Sequence, residues 1–329
     1  MFLVHRVLPP ATAVHQACWC RVAGDAEELV LSVGRELHVY GITAGSLNLK
    51  RVWRFEQRVE ACASARRPAR PRDALVIAFA PSRIVIIDDE DGEPRTLVRY
   101  DLETQQELLD NDSFKLTPLK ANKGGPSSWP IVLDTSSSIA CVRAKSRVVA
   151  VPLMHCAARD VTGRVPPPFF VDGSLPSDIV VRLLAFAPAG PPTVILCCAD
   201  ARGDTPSSTS LIALGLDAAS KKAYPRWRVD CLAAAPRGLI PLRKGGAVVL
   251  FRHSLARVSS GGAVDAVALN GFANEDFGPS DPRAVVRPNA PKLAIDATAG
   301  CAGCEVSDGL CLVSLPGAAS LWIADVTGV

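Results

Sequence analysis

The chain has 329 residues, 48% of them hydrophobic and 21% charged, with a formal net charge of +3 at pH 7. A chain of this length and composition can bury a sizeable core, and so small a net charge gives no general attraction to nucleic acid or anionic lipid. No apolar run approaches the ~20 residues that a bilayer span requires, and the opening Phe2-Leu3-Val4 is too short for a secretory signal, so no membrane partner is expected.

The first informative element is a pair of short apolar runs, Leu29–Val33 and Leu37–Ile42, hinged at Gly34-Arg35. Leu47–Phe55 and Val59–Ala65 follow as two further strand candidates. A second pair comprises Ala74–Ala80 and Arg83–Asp88, hinged at Pro81-Ser82, with Thr96–Asp101 as another strand behind it. Leu102–Asp110 is short and polar and reads as a loop excursion. The third pair is Ile139–Arg143 and Arg147–Leu153, the fourth Thr193–Ala199 and Thr209–Leu216. The fifth is Ala247–Phe251 and Leu255–Val258, and the sixth Leu310–Leu315 and Ala319–Val326. Val, Ile and Leu dominate these runs, and Gly, Pro, Ser and Asp bound them, which marks strands rather than helices.

Val194-Ile195-Leu196 and Val248-Val249-Leu250 are apolar at consecutive positions, so both faces of those strands should be covered. The hinges fall near positions 34, 81, 145, 203, 252 and 317, a spacing of roughly 47 to 65 residues, close to that of four-stranded propeller repeats. The spacing predicts an all-β fold, a single β-propeller domain over 1–329 with six four-stranded blades. A seventh blade could draw on the two chain ends.

The remaining segments are loops. Arg66-Arg67-Pro68-Ala69-Arg70-Pro71-Arg72 is basic, Lys120–Pro130 is rich in Gly, Ser and Pro, and Arg164–Pro168 holds three consecutive prolines. Arg66, Arg67, Arg70 and Arg72 are the candidate contacts for a protein partner or for RNA phosphates. No aromatic residue interleaves them, so base stacking is not expected there. Read as surface residues, the four together should tolerate substitution by serine without loss of folding.

Other candidate chemistry is weaker. The 11 cysteines are read as reduced, buried small hydrophobes of a cytosolic or nuclear protein, and Asn111-Asp112-Ser113 is an idle glycosylation match without export. Cys301-Ala302-Gly303-Cys304, with Cys311 nearby, lacks a fourth zinc ligand in sequence. Asp88-Asp89-Glu90-Asp91-Gly92 lacks calcium-loop spacing and reads as a solvated acidic turn. The histidines are His5, His15, His38, His155 and His253, none close in sequence. No nucleophile elbow, zinc-protease motif or phosphate loop is present, so no catalytic residue, metal, cofactor or small-molecule substrate is expected.

In order and spacing the segments resemble the N-terminal propeller of the largest subunit of the cleavage and polyadenylation specificity factor. The wider family includes the large subunit of the damaged-DNA-binding complex and a triple-propeller splicing subunit. The resemblance rests on Pro10–Val14, Cys18, Leu29-Val30-Leu31, Leu37–Tyr40, Arg72–Phe79, Arg147–Leu153 and Pro192–Leu196. Gly245–Leu250 and Val267–Asn270 are similar to the polyadenylation branch in particular. The resemblance implies a nuclear, non-catalytic scaffold that holds WD-repeat and zinc-finger partner subunits and meets RNA mainly through them. It also implies that these residues correspond to the N-terminal part of a longer multi-propeller protein. The sister branch implies an alternative, an adaptor of a DNA-repair or ubiquitin-ligase complex. A propeller enzyme would instead need histidines or carboxylates converging on the axis.

Overall fold

The structure is a computed structural model. It describes residues 14–24, 26–43, 45–67, 71–79, 82–105, 108, 131–134, 136, 138–144, 147–153, 166–171, 175, 179–200, 208–234, 236–278, 293, 298, 301–315 and 320–325. Among these, six antiparallel meander sheets follow one another along the chain, five of four strands and one of three. This is the blade repeat of a β-propeller, and the expected six to seven blades narrow to six. The chain ends that a seventh would have used lie outside the described residues.

Sheet 1 comprises β1 (Val14–Cys20), β2 (Glu28–Val33), β3 (Glu36–Thr43) and β4 (Ser46–Arg54). Sheet 2 comprises β5 (Val59–Ala65), β6 (Ala74–Phe79), β7 (Arg83–Glu90) and β8 (Glu93–Asp101). Sheet 3 comprises β9 (Ile131–Leu133), β10 (Ile139–Ala144), β11 (Arg147–Pro152) and β12 (Phe169–Phe170). Sheet 4 comprises β13 (Ile179–Phe186), β14 (Thr193–Asp200), β15 (Thr209–Asp217) and β16 (Lys222–Leu232). Sheet 5 comprises β17 (Gly238–Pro241), β18 (Ala247–Leu250), β19 (Ser254–Val258) and β20 (Val264–Ala268), and a short helix α1 (Ala273–Phe277) follows it. Sheet 6 comprises β21 (Ala302–Ser307), β22 (Leu310–Leu315) and β23 (Ser320–Asp325).

Each hairpin expected from the sequence is the second and third strand of one sheet, and no sheet takes two of them. Local chemistry explains the turns. Between β7 and β8, Asp91 and Gly92 take φ of 54° and 102°, the paired positive values that an Asp-Gly hairpin turn needs. Between β17 and β18, Gly246 has φ of 85°, and a Cβ there would sit 2.0 Å from the Val258 carbonyl oxygen. Only glycine fits that approach.

Two compact units divide the chain, Met1–Lys145 with Val149–Phe169, and Ser146–Val148 with Phe170–Val329. In the first, the opening strands of successive sheets lie side by side, β1 against β5 and β5 against β9. Its core is formed by Val30, Leu37, Val39 and Trp53 of sheet 1 meeting Val59, Cys62, Leu75 and Ile77 of sheet 2.

In the second unit β13, β17 and β21 are neighbours in the same manner. Here β18 shows why the strands are apolar at consecutive positions. Ala247 and Val249 join a core with Ile195, Cys197, Leu211 and Phe251, whereas Val248 and Leu250 join another with Cys311, Val313 and Leu315. Alternate side chains of one strand thus enter cores on opposite faces. Helix α1 is held by Asp276, whose carboxylate accepts bonds from the His253 backbone N–H at 2.8 Å and the Ser254 hydroxyl at 2.6 Å. Phe277 packs edge-on to Phe251 with ring centres 6.3 Å apart. Among the described residues no helix is long and apolar enough to cross a membrane.

Candidate interaction surface

The basic loop after β5 meets the acidic run that begins in the last residues of β7 and enters the β7–β8 turn. Arg67 is buried and its guanidinium lies 2.9 Å from Asp88 Oδ2, with 2% and 6% of the two side chains exposed. Arg95 adds two bonds to Asp88, from Nε at 3.1 Å and Nη2 at 3.0 Å. Asp89, whose side chain is fully buried, takes Arg51 of β4 at 2.5 Å and Arg72 at 3.2 Å. The Trp53 indole N–H donates to the Gly92 carbonyl at 3.0 Å, so β4 docks on the β7–β8 turn through both contacts.

These contacts correct two expectations. Asp88 and Asp89 are not solvated, because they receive four arginines; only Glu90 and Asp91 of that turn are exposed. Arg67 is not a surface residue, so replacing all four loop arginines with serine would strip a buried ion pair. Burial opposes ionisation of Asp88, yet the Arg95 and Arg67 hydrogen bonds outweigh it and hold the carboxyl below its usual range. Arg70 lies outside the described residues. Of the four candidates, Arg66 is exposed and faces a cleft.

That cleft, about 390 Å³, opens at the C-terminal ends of β1, β5 and β9. Trp19, Cys20, Arg21, Glu27, Ser64 and Arg66 line it, with Asp73, Leu133 and Asp134. Its aspartates are engaged in holding the loops. Asp73 Oδ2 accepts the Arg21 N–H at 2.9 Å and the Ser64 hydroxyl at 3.2 Å. Asp134 accepts the Ile139 N–H at 2.7 Å and the Ser138 hydroxyl at 3.1 Å. Close by, Glu28 is fully buried, accepting the Ala23 N–H at 2.7 Å and Lys50 Nζ at 2.7 Å. At the mouth stand Trp19, 53% exposed, and the exposed Arg66 and Glu27. An exposed tryptophan beside arginines on rigid strand ends is the residue combination of an interface hot spot.

Sequence reasoning passed over Trp19 and Arg21. Strand parity would have found the first: Cys18 and Cys20 point one way along β1, and Ala17 and Trp19 the other, both exposed. Cys18 and Cys20 lie beside Cys62 of β5, with Cys18 Sγ 3.8 Å from Cys62 Sγ. Hydrogen bonds from Cys20 and then Cys62 favour the Cys18 thiolate and lower its pKa to about 5, against burial and the Asp73 charge. The same bonds, followed by burial, push Cys20 and Cys62 upward.

The other candidates are dispersed. Cys301 is partly exposed and Cys304 exposed, which corrects the expectation that the cysteines are buried; Cys311 is buried on β22. Cys231 is also exposed, at φ 58° on the outermost strand of sheet 4. Burial raises Cys301 and Cys311 to about 11 each. Among the described residues no group of three or more His, Cys, Asp or Glu side chains could hold a metal ion. His38 sits on β3 and bonds Glu36 at 2.8 Å. His253 is buried in the turn before β19, its Nε2 3.3 Å from Glu275. The side chains of His5, His15 and His155 lie outside the described residues, as do Lys120–Pro130 and Arg164-Val165.

No known family model matches the sequence. Comparison with curated proteins likewise finds no match.

Proposed function

We propose that this chain is a non-catalytic scaffold of the nuclear pre-mRNA cleavage and polyadenylation machinery, and that it grips protein subunits at the mouth of the β1–β5–β9 cleft. The order of its strand segments supports the assignment to that machinery, through their resemblance to the large polyadenylation subunit. The observation that carries the interface is the exposed Trp19 beside Arg66, over a wall whose aspartates are already bonded to neighbouring loops. Such a mouth offers an aromatic anchor and a guanidinium on a rigid frame, suited to a protein surface. WD-repeat and zinc-finger subunits are the partners this reading names, with RNA held mainly through them.

Affinity purification from nuclear extract followed by mass spectrometry tests the reading. The wild-type chain should bring down polyadenylation subunits, and a Trp19→Ala, Arg66→Ser variant with an unchanged melting temperature should lose them. Recovery of a cullin instead would move the chain to the repair-adaptor branch. Undiminished recovery by the variant would place the interface elsewhere.

A further inference from the structure

We propose that Cys18 and Cys62 are a peroxide-responsive thiol pair that closes into a disulfide joining β1 to β5. The two strands belong to different sheets, so the bond would link neighbouring blades covalently. Three observations carry this. The sulfurs are 3.8 Å apart, close enough for side-chain rotation to bring them to the ~2 Å of a bond. The strands are held in place at this point, because the Cys62 backbone N–H donates to Gln16 Oε1 at 3.1 Å, two residues before Cys18 on β1. Burial differs between the two sulfurs: Cys18 is partly exposed and Cys62 buried, an arrangement in which the first meets the oxidant and the second resolves it.

The chemistry needs a hydroperoxide, here hydrogen peroxide. The Cys18 thiolate attacks one peroxide oxygen and the O–O bond breaks. The departing hydroxide takes up the proton that Cys18 gave to solvent, forming water, and Cys18 becomes a sulfenic acid. The Cys62 sulfur then attacks the Cys18 sulfur, the S–O bond breaks, and hydroxide leaves with the Cys62 proton as a second water. Two thiols are oxidised by two electrons and one peroxide is reduced to two waters. Cys20 remains a thiol, and its hydrogen bond favours the attacking thiolate, consistent with the lowered pKa of Cys18. The exposed Cys231 and Cys304 are internal controls.

The test treats the whole chain with stoichiometric hydrogen peroxide, alkylates the remaining thiols and maps peptides without reduction. The expected result is a Cys18–Cys62 crosslink as the main product, with a raised melting temperature that dithiothreitol returns to its starting value. In Cys62→Ser, dimedone should label Cys18. The proposal fails if Cys231 or Cys304 oxidises before Cys18, if the crosslink runs Cys18 to Cys20, or if Cys18 stays reduced. The mapping of the wild-type chain decides the matter even where a variant folds poorly, and it does not depend on which partner the chain binds.

Discussion

Arg67 and Arg66 are adjacent in sequence and have opposite roles. Arg67 is buried against Asp88, whereas Arg66 is exposed at the cleft. Removing one partner of a buried pair leaves a desolvated charge, so Arg67→Ser should cost about 3 kcal/mol in denaturant melts. Arg66→Ser should stay within about 0.5 kcal/mol in the same measurement. Asp88 and Asp276, both buried, also titrate with opposite sign. Asp88 is held low, so the native state releases its proton more readily than the unfolded chain. Its contribution is complete above the unfolded value of about 4 and is lost as pH falls through the depressed folded value. Burial raises Asp276, against bonds from Ser254 and His253. Stability therefore rises as pH falls through that raised value, and Asp276→Asn should flatten this part of the profile. Thermal melts across pH on the two asparagine variants, Asp88→Asn and Asp276→Asn, separate the effects.

At the scale of the element, the sheets depend on a few backbone positions and on alternation. Gly246→Ala should destabilise by at least about 2 kcal/mol in urea titration, since its Cβ would meet the Val258 carbonyl 2.0 Å away at a φ of 85°. Phe251→Ala should cost about 3–5 kcal/mol, because a fully buried ring would leave a cavity against Phe277. The outer strand β16 carries no comparable core burden. Lys222, Tyr224, Pro225, Arg226 and Arg228 are all exposed along it, and proline and charge on an edge strand discourage pairing with another chain.

For the whole molecule, the weak net charge and the paired arginines set its behaviour toward RNA. With Arg67 and Arg72 bonded to Asp88 and Asp89, the basic loop offers less free charge than its sequence displays. Binding of the isolated chain to RNA should be weak and should fade as salt rises to the physiological range, measured by fluorescence anisotropy. Tight, salt-resistant binding to a short RNA would overturn the scaffold reading.

The six hairpins were legible because each is local: a short apolar run, a turn residue and a second run, all within about twenty-five residues. Two-sided burial was legible too, since consecutive apolar positions in Val248-Val249-Leu250 have no other economical explanation in a strand. Outer strands β4, β5 and β8 were legible too, as Leu47–Phe55, Val59–Ala65 and Thr96–Asp101, whereas β9 and β12 of sheet 3 were not, because they are only 3 and 2 residues long and carry little periodicity. The site was largely hidden. The meeting of Arg67 with Asp88, of Arg51 with Asp89, and of Cys18 with Cys62 joins residues 21, 38 and 44 positions apart. A charge run in sequence cannot show whether its ions face water or one another. That depends on how neighbouring blades dock, which is decided only when non-local burial brings the loops together.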